Sequence, residues 1–589
     1  MRKKHLLSLF MLSMGVALLV AAMVATSAMS ATRSHSAAGG TEHIGLSSPV
    51  TFLDPQLAYD TGSWTVLENT EVTLLRYSDS NGAHAPLKLE GAASFPSITH
   101  SGKWYTWHIK PGFQFNTGAP VDADSYARAF ERLLSPCMFE GGIGTADFFD
   151  KLIVGAAAFN QADCSGGPPT SVPHISGVQA SGNTLSVHLT HPAAYFTAAM
   201  AMIWFSATPA SAPYDNNHQD DGAAVAYASA GPYYVDDANP NQPVSITLKQ
   251  NPNYSGSRAS NPSQMQFIVE SDQTTCYNDT KAGNIDVDLC GLTATLAASA
   301  ISDFGASTVT GVPGPAAGGN TQFHVESTDC IDYMTLDTQA APTNLLSVRK
   351  ALEYALDRGG MLSILGAYAG AFSDQVLTPP VPGYKKYTIF PVHPDYNKAA
   401  SLASGDLNGK TINIWYNTDS GARRNQSQGV KDVLDNFSSA KGLNLTVKRD
   451  PVAGATYYVE LGNHNEATNG GSGHDAFNIA RAGWCADYYD PFDYLNVLFN
   501  GQSIQPAGNN DLSYVNIAGL NSALNAASAK TGAARKTAYA ALDKNVMTKY
   551  APVVSYELDN ARIVVSSRVG NWTYDEFQGS PALNVLTVN

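Results

Sequence analysis

The chain has 589 residues, with 35 Lys+Arg against 50 Asp+Glu, a formal net charge of −15 and only 14% charged residues. That length exceeds one small core and calls for two or more large lobes, while the 44% hydrophobic share excludes wholesale disorder. The acidic balance argues against nucleic acid or an anionic membrane as the main partner, because a phosphate-binding face needs clustered Lys and Arg.

At the N-terminus Arg2, Lys3 and Lys4 form a basic head before an apolar run from Leu6 to Ala25. Ala28-Met29-Ser30 before Ala31 offers a small-residue cleavage site. The run is also just long enough to span a bilayer, so residues 1–30 read either as a signal peptide or as an uncleaved anchor. No cysteine lies nearby to carry a lipid. Elsewhere no stretch approaches the roughly 18 continuous apolar residues of a spanning helix. Six cysteines stand at 137, 164, 276, 290, 330 and 485, an even count that favours disulfides in an exported chain. Cys137 with Cys164 and Cys276 with Cys290 are near enough to close local loops, which leaves Cys330 with Cys485; free buried thiols are the alternative. No C-x-x-C pair supports a zinc or redox site.

Lys103–Ile109 is aromatic and β-prone and ends at the Lys110-Pro111-Gly112 turn. A helix is predicted from the Pro120-Val121-Asp122 junction, with Tyr126, Phe130, Leu133 and Leu134 on one face and Pro136 as its stop. Strands are expected at Thr184–Leu189, Val244–Lys249 and Thr321–Val325, the last after the Gly/Pro stretch Gly311–Pro315. Ser347 is expected to cap a helix from Val348 to Arg358 that Gly359-Gly360 ends. Thr411–Tyr416 and Leu443–Arg449 read as strands flanking a helix at Gly429–Lys441. A long Ala/Lys helix is expected over Ala526–Tyr550 before a strand at Pro552–Val565. The alternation after residue 330 is that of a mixed α/β sheet with helices on its faces.

Three patterns imitate catalytic signatures. Gly405–Thr411 is one residue short of a P-loop and leads into a strand where phosphate binding needs a helix N-terminus. Ser347-Val348-Arg349-Lys350 and Lys530-Thr531-Gly532 imitate penicillin-recognising enzymes, but Tyr214-Asp215-Asn216 precedes both and Lys530 sits in a helical pattern. Ser472-Gly473-His474-Asp475 carries triad residue types, yet sequence neighbours cannot converge with triad geometry. The 14 histidines are scattered, without H-E-x-x-H. No metal or cofactor is called for.

The span from Ala480 to Leu495 concentrates aromatics, carboxylates, one Arg and one Cys. It reads in three ways: a surface loop turning at Asp490-Pro491, a calcium site of Asp487, Asp490 and Asp493, or a ligand wall. As a wall, a buried Asp would pair an ammonium and Arg481 a carboxylate.

Here the chain resembles the family 5 solute-binding proteins, the extracytoplasmic receptors of peptide-type ABC importers. The elements occur in that family's order: Leu53-Asp54-Pro55, the segment Phe115–Ser125 (FNTGAPVDADS), Ala230-Gly231-Pro232-Tyr233-Tyr234-Val235, Asn251-Pro252-Asn253-Tyr254, and Val348–Arg358 (VRKALEYALDR). Thr117 stands where the family has Asn or Asp. The resemblance implies an α/β type II periplasmic-binding-protein fold of two hinged lobes with an extra subdomain. Lobe I would cover 41–328, with the subdomain at about 88–229 and a return at 554–589, and lobe II would cover 329–553. It also implies a monomeric, non-enzymatic receptor that takes short peptides to a membrane permease. Asp487, of the W-x-x-D element begun by Trp484, would hold the ligand's α-ammonium group. Arg481 would serve carboxylate or backbone recognition, with Gly483 and Tyr488 beside it. In some members a Cys beside that Trp bonds one before the V-R-x-A-L helix, and Cys485 and Cys330 fit those places. Residues 137–174 look like an insertion without a family counterpart. An oligosaccharide or metal-chelate receptor is the alternative, and an exported hydrolase lacks a well-spaced catalytic set.

Overall fold

Val553–Val565 carries β-branched and aromatic residues at both ends of a polar middle, and it forms a thirteen-residue strand. Its ends are buried, while Leu558–Arg562 are half-buried. This strand runs antiparallel to Phe323–Leu336 along nearly its whole length, with register shifts between Ser327 and Ile331 and between Asp332 and Tyr333. The computed structural model describes residues 39–47, 50–78, 86–138, 146–162, 174–213, 225–239, 244–270, 272–305, 314–315, 322–418, 420–454, 456–471 and 473–589.

The main strands are β1 (Gly39–Leu46), β2 (Tyr233–Asn239), β3 (Ser245–Gln250), β4 (Pro262–Val269), β5 (Val287–Leu289), β6 (Phe323–Leu336), β7 (Thr411–Asn417), β8 (Thr446–Val452), β9 (Ile479–Trp484) and β10 (Val553–Val565). They form one mixed sheet in the order β8-β7-β9-β6-β10-β5-β1-β4-β3-β2, with short strands at Gly314–Pro315 and Gly370–Phe372 attached to β6 and β10. The fold class is therefore α/β, and the central pair β6 and β10 belongs to both halves of the sheet. One half packs on Ile44, Leu248, Phe267, Ile563 and Leu586. The other packs on Leu336, Val348, Leu352, Ile412, Leu434 and Val554.

A separate four-stranded sheet joins Ser97–Thr99, Trp104–His108, Val178–Ser181 and Thr184–His188. Its alternation is visible in the pairing. Tyr105 and Trp107 are buried and face Val187 and Leu185, also buried. Each such side chain contributes about 1.5–3 kcal/mol over an exposed one. The helix Ala123–Leu133 begins where the sequence places it, with Asp122 accepting from the Ser125 N–H at 3.0 Å and Tyr126, Phe130 and Leu133 buried.

Several helix boundaries differ from the sequence reading, and the helix expected from Gly429 begins at Gly421, capped by Ser420. Ser347 lies inside the helix Leu346–Ala355 and donates its hydroxyl to Asp406 instead of capping. The chain becomes extended at Leu356, and Asp357 accepts from the Gly360 N–H at 2.9 Å, so Gly359-Gly360 open a second helix, Arg358–Ile364, rather than ending the first. The expected helix at 526–550 is two, Ala518–Ser528 and Gly532–Asn545, followed by the wider turn Val546–Tyr550. Thr531 is extended and Gly532 has φ +56°, so Lys530 falls in the break and not in a helix.

The motifs that carried the resemblance are architectural. Arg132 pairs with Asp54 in the interior. A side chain at Gly231 would meet the Thr70 carbonyl at 2.5 Å, so only glycine fits there. The Asn251 amide donates to the Gly231 carbonyl at 3.0 Å, and the Asn253 amide donates to the Asn116 carbonyl at 3.0 Å. Asn116 accepts from the Ser229 N–H at 3.0 Å, so three motif segments are stitched together. Arg358 pairs with Glu353 and donates to the Ser555 carbonyl on β10 at 2.9 Å, which anchors the V-R-x-A-L helix region to the central strand pair.

Candidate functional site

β9 lies antiparallel to β6, with Arg481 opposite Met334, Gly483 opposite Asp332 and Trp484 opposite Ile331. Immediately beyond this register the chain is held by a Cys330–Cys485 disulfide with a Cα–Cα distance of 4.1 Å. Cys276 is bonded to Cys290, and Cys137 is disulfide-bonded while Cys164 lies outside the described residues. After Cys485 a short turn leads to Asp490, whose carboxylate accepts from the Phe492 N–H at 2.8 Å and pairs with Arg535. Pro491 at the first position then opens the helix Pro491–Phe499, every residue of which is buried. The surface-loop reading is thereby corrected. Tyr488 and Tyr489 are 4% and 8% exposed, and the turn lies inside the protein.

Asp487 is 7% exposed. Its carboxylate accepts from the Tyr59 hydroxyl at 2.9 Å, across 428 residues of sequence, and no Lys, Arg or His among the described residues pairs with it. Burial raises its pKa from the ordinary carboxylate range to about 7, with the Tyr59 hydrogen bond pulling the other way. Its backbone N–H donates at 2.9 Å to Asp493, which also accepts from the Trp484 indole N–H at 3.4 Å. The Tyr488 ring lies parallel to that of Tyr195 at 6.0 Å, and Phe492 stacks on the same Tyr195 at 3.9 Å. The Tyr489 N–H donates to the Tyr77 hydroxyl at 2.8 Å. Tyr59, Tyr77 and Tyr195 thus grip this turn from the N-terminal part of the chain.

Arg481 is placed differently from the expectation of a free guanidinium. It grips Asp332 on β6 with two nitrogens and donates to the Tyr458 hydroxyl at 3.1 Å. Asp332 also takes Arg423 at 2.8 Å and the Tyr556 hydroxyl at 3.2 Å. Burial alone would raise the Asp332 carboxyl, but the two guanidiniums outweigh it and hold it well below the usual range. Two arginines thus converge on one carboxylate, with Glu557 and Asp559 facing the same pair. Beside it Glu557 is pushed up to about 9 by burial and then by the neighbouring Asp332 and Asp559. Gly483 is required where it is, since a Cβ would sit 2.6 Å from the Asp332 carboxylate and 3.0 Å from the Ile331 carbonyl.

The calcium reading loses a ligand because Asp490 is engaged by Arg535 and by capping. Among the described residues two clusters bring potential metal ligands within 4.8 Å, Cys276/Asp288/Cys290 and Asp329/Cys330/Cys485, but both use disulfide sulfurs instead of thiolates. His474 is held by Asp450 at 2.8 Å and Glu460 at 3.5 Å, and Ser472 lies outside the described residues. Tyr59, Tyr195, Asp332, Arg423 and Asp493 were not singled out for these contacts from the sequence. Tyr59 follows the Leu53-Asp54-Pro55 element closely, which was the one available signal.

Residues 87–506 match the family described as bacterial extracellular solute-binding proteins, family 5 Middle. The chain belongs to this family. It is therefore a binding protein and not an enzyme. Oligopeptide-binding protein OppA of Bacillus subtilis is 24% identical to this family 5 protein over 477 residues, covering 79% of this chain and 77% of the relative. Heme-binding protein A of Haemophilus influenzae is 23% identical over 447 residues, covering 73% and 71%. Clavulanic acid biosynthesis oligopeptide binding protein 2 superposes with a TM-score of 0.76 at 18% identity, over 94% of this chain and 95% of that one. The shared architecture is the type II periplasmic-binding-protein fold. No helix among the described residues is long and apolar enough to cross a membrane.

Proposed function

We propose that this family 5 protein is an extracytoplasmic receptor that captures short peptides and delivers them, as a monomer, to the permease of an ABC importer. In this reading lobe I comprises 41–328 and the return at 554–589, with an extra subdomain near 88–229, and lobe II comprises 329–553. The observation that carries it is Asp487, buried on the lobe II turn, whose carboxylate accepts from the Tyr59 hydroxyl of lobe I and pairs with no Lys, Arg or His among the described residues. A buried carboxylate without a positive partner is costly, and a ligand ammonium would supply that partner with a charge-assisted hydrogen bond. The two guanidiniums of the Arg481–Asp332–Arg423 cluster suit a ligand carboxylate or main-chain carbonyl. Gly483 lets β9 approach that cluster closely, and Trp484 and Tyr488 flank the ammonium position. The name of the B. subtilis relative supports peptides as the solute class.

The test is calorimetry with a pool of di- to pentapeptides and the same pool N-acetylated. Free peptides should bind and acetylated ones should not, because acetylation removes the ammonium charge. Equal affinity for both pools would refute the ammonium anchor, and binding of neither would refute the peptide reading.

A further inference from the structure

Asp493 is fully buried in the first turn of Pro491–Phe499, and one of its oxygens has no hydrogen-bond partner. Its other oxygen accepts both the Asp487 N–H and the Trp484 indole N–H, so it holds the two ends of the W-x-x-D element in place. No Lys, Arg or His among the described residues pairs with either Asp487 or Asp493. The two carboxyls are surrounded by groups from three parts of the chain. From the N-terminal part come the hydroxyls of Tyr59 and Tyr77, and Tyr195. From β6 comes Asp329, buried and accepting from the Ala486 N–H. From the turn and its helix come Tyr488, Tyr494 and Asp490, the last already neutralised by Arg535. The nearest charges are therefore negative or cancelled.

Two carboxylates buried this close without a cation cannot both stay ionised. We infer that Asp487 and Asp493 form a proton-holding pair, with Asp493 as a positioning residue, and that a ligand ammonium replaces the proton on binding. The exchange balances simply. The empty receptor carries a carboxylic acid at the pair, the ammonium brings one positive charge, the O–H bond of the acid breaks, and that proton leaves to solvent. Burial holds both acids above the ordinary range, and at Asp493 the neighbouring Asp487 adds to it, in keeping with this geometry. The inference deepens the peptide reading and rests on it.

The experiment is titration calorimetry of the full chain with the tightest peptide from the pool above, repeated at pH 6 in buffers of different ionisation enthalpy. The slope of observed heat against buffer enthalpy counts protons, and about one released per peptide is expected. Affinity should accordingly rise with pH, approaching tenfold per unit below the pair's titration and flattening above it. Asp493→Asn keeps an acceptor for the two N–H groups but removes one acid, so the pH at which release falls to half should move downward. Wild-type heats independent of buffer would overturn the exchange while leaving peptide binding intact. An unmoved half-release pH in a folded Asp493→Asn would overturn the role of Asp493. If that variant does not fold, Asp493→Ser, a smaller acceptor, is read in the same way. Absence of heat with every peptide would remove the peptide reading and the exchange together.

Discussion

Replacing Asp487 with Asn should move ligand affinity and stability in opposite directions. The carboxylate is 7% exposed and has one neutral hydrogen-bond partner, Tyr59. Against a ligand ammonium, loss of the charge in such a desolvated pair costs about 2–5 kcal/mol, or roughly 30- to 4,000-fold in Kd. In the empty protein the sign reverses. With its pKa lifted from 3.8 to about 7, folded Asp487 holds its proton more tightly than the unfolded chain does. The contribution is neutral below pH 4, becomes a growing penalty between pH 4 and 7, and is complete above 7. At 1.36 kcal/mol per pKa unit that penalty is on the order of 4 kcal/mol at pH 8, an upper bound that relaxation and water entry reduce. Asp487→Asn removes it. The assay pairs calorimetry with thermal melts at pH 8, where the variant should bind weakly yet melt higher than the wild type. An affinity within threefold of wild type, or a lower melting temperature, would refute this account of the site.

Arg481→Ala should destabilise the protein by about 3 kcal/mol in chemical denaturation, at the lower end for a broken buried pair because Arg423 and Tyr556 still hold Asp332. Gly483→Ala drives a methyl group against the Asp332 carboxylate and the Ile331 carbonyl, so a loss of about 1–3 kcal/mol and weaker peptide binding are expected by denaturation and calorimetry. Stability of the whole protein should fall as pH rises from about 4 to 8. Burial lifts Asp288, Asp337 and Asp543 to about 7 and Asp511 to about 8, so folding favours their protonated forms across that window. Melting temperatures measured from pH 4 to 9 check this, and a maximum at pH 8 would contradict it.

The family elements were legible because each is short and self-contained. Asp54 is fixed by its pair with Arg132, and Gly231 and Asn251 by close backbone contacts that suit their own residue types. The W-x-x-D turn was visible for the same reason, since Trp484 and Asp487 are linked through Asp493 within ten residues. Tyr59, Asp332 and Arg423 were not legible as partners. Their contacts to Asp487, Arg481 and Asp332 span 428, 149 and 91 residues, and only the tertiary fold brings them together. The helix break at Lys530-Thr531 was hidden by the Ala/Lys composition, because helix propensity is a weak term that a single left-handed glycine overrides.

The place of β10 in the sheet also governs the order in which the molecule can assemble. β1 and β5, made early in synthesis, pair with each other, but the edge of β5 is completed only by Val564 and Val565 near the end of the chain. β6 likewise waits for β10 along most of its length. Until the ribosome has nearly finished, the sheet stands open at its centre, with the short edge of β5 and the long edge of β6 unpaired, and an open edge of that length is a site of misassociation. A nascent chain of this topology reaches its final structure after synthesis and not during it. That delay leaves the long edge of β6 exposed to wrong partners while it waits.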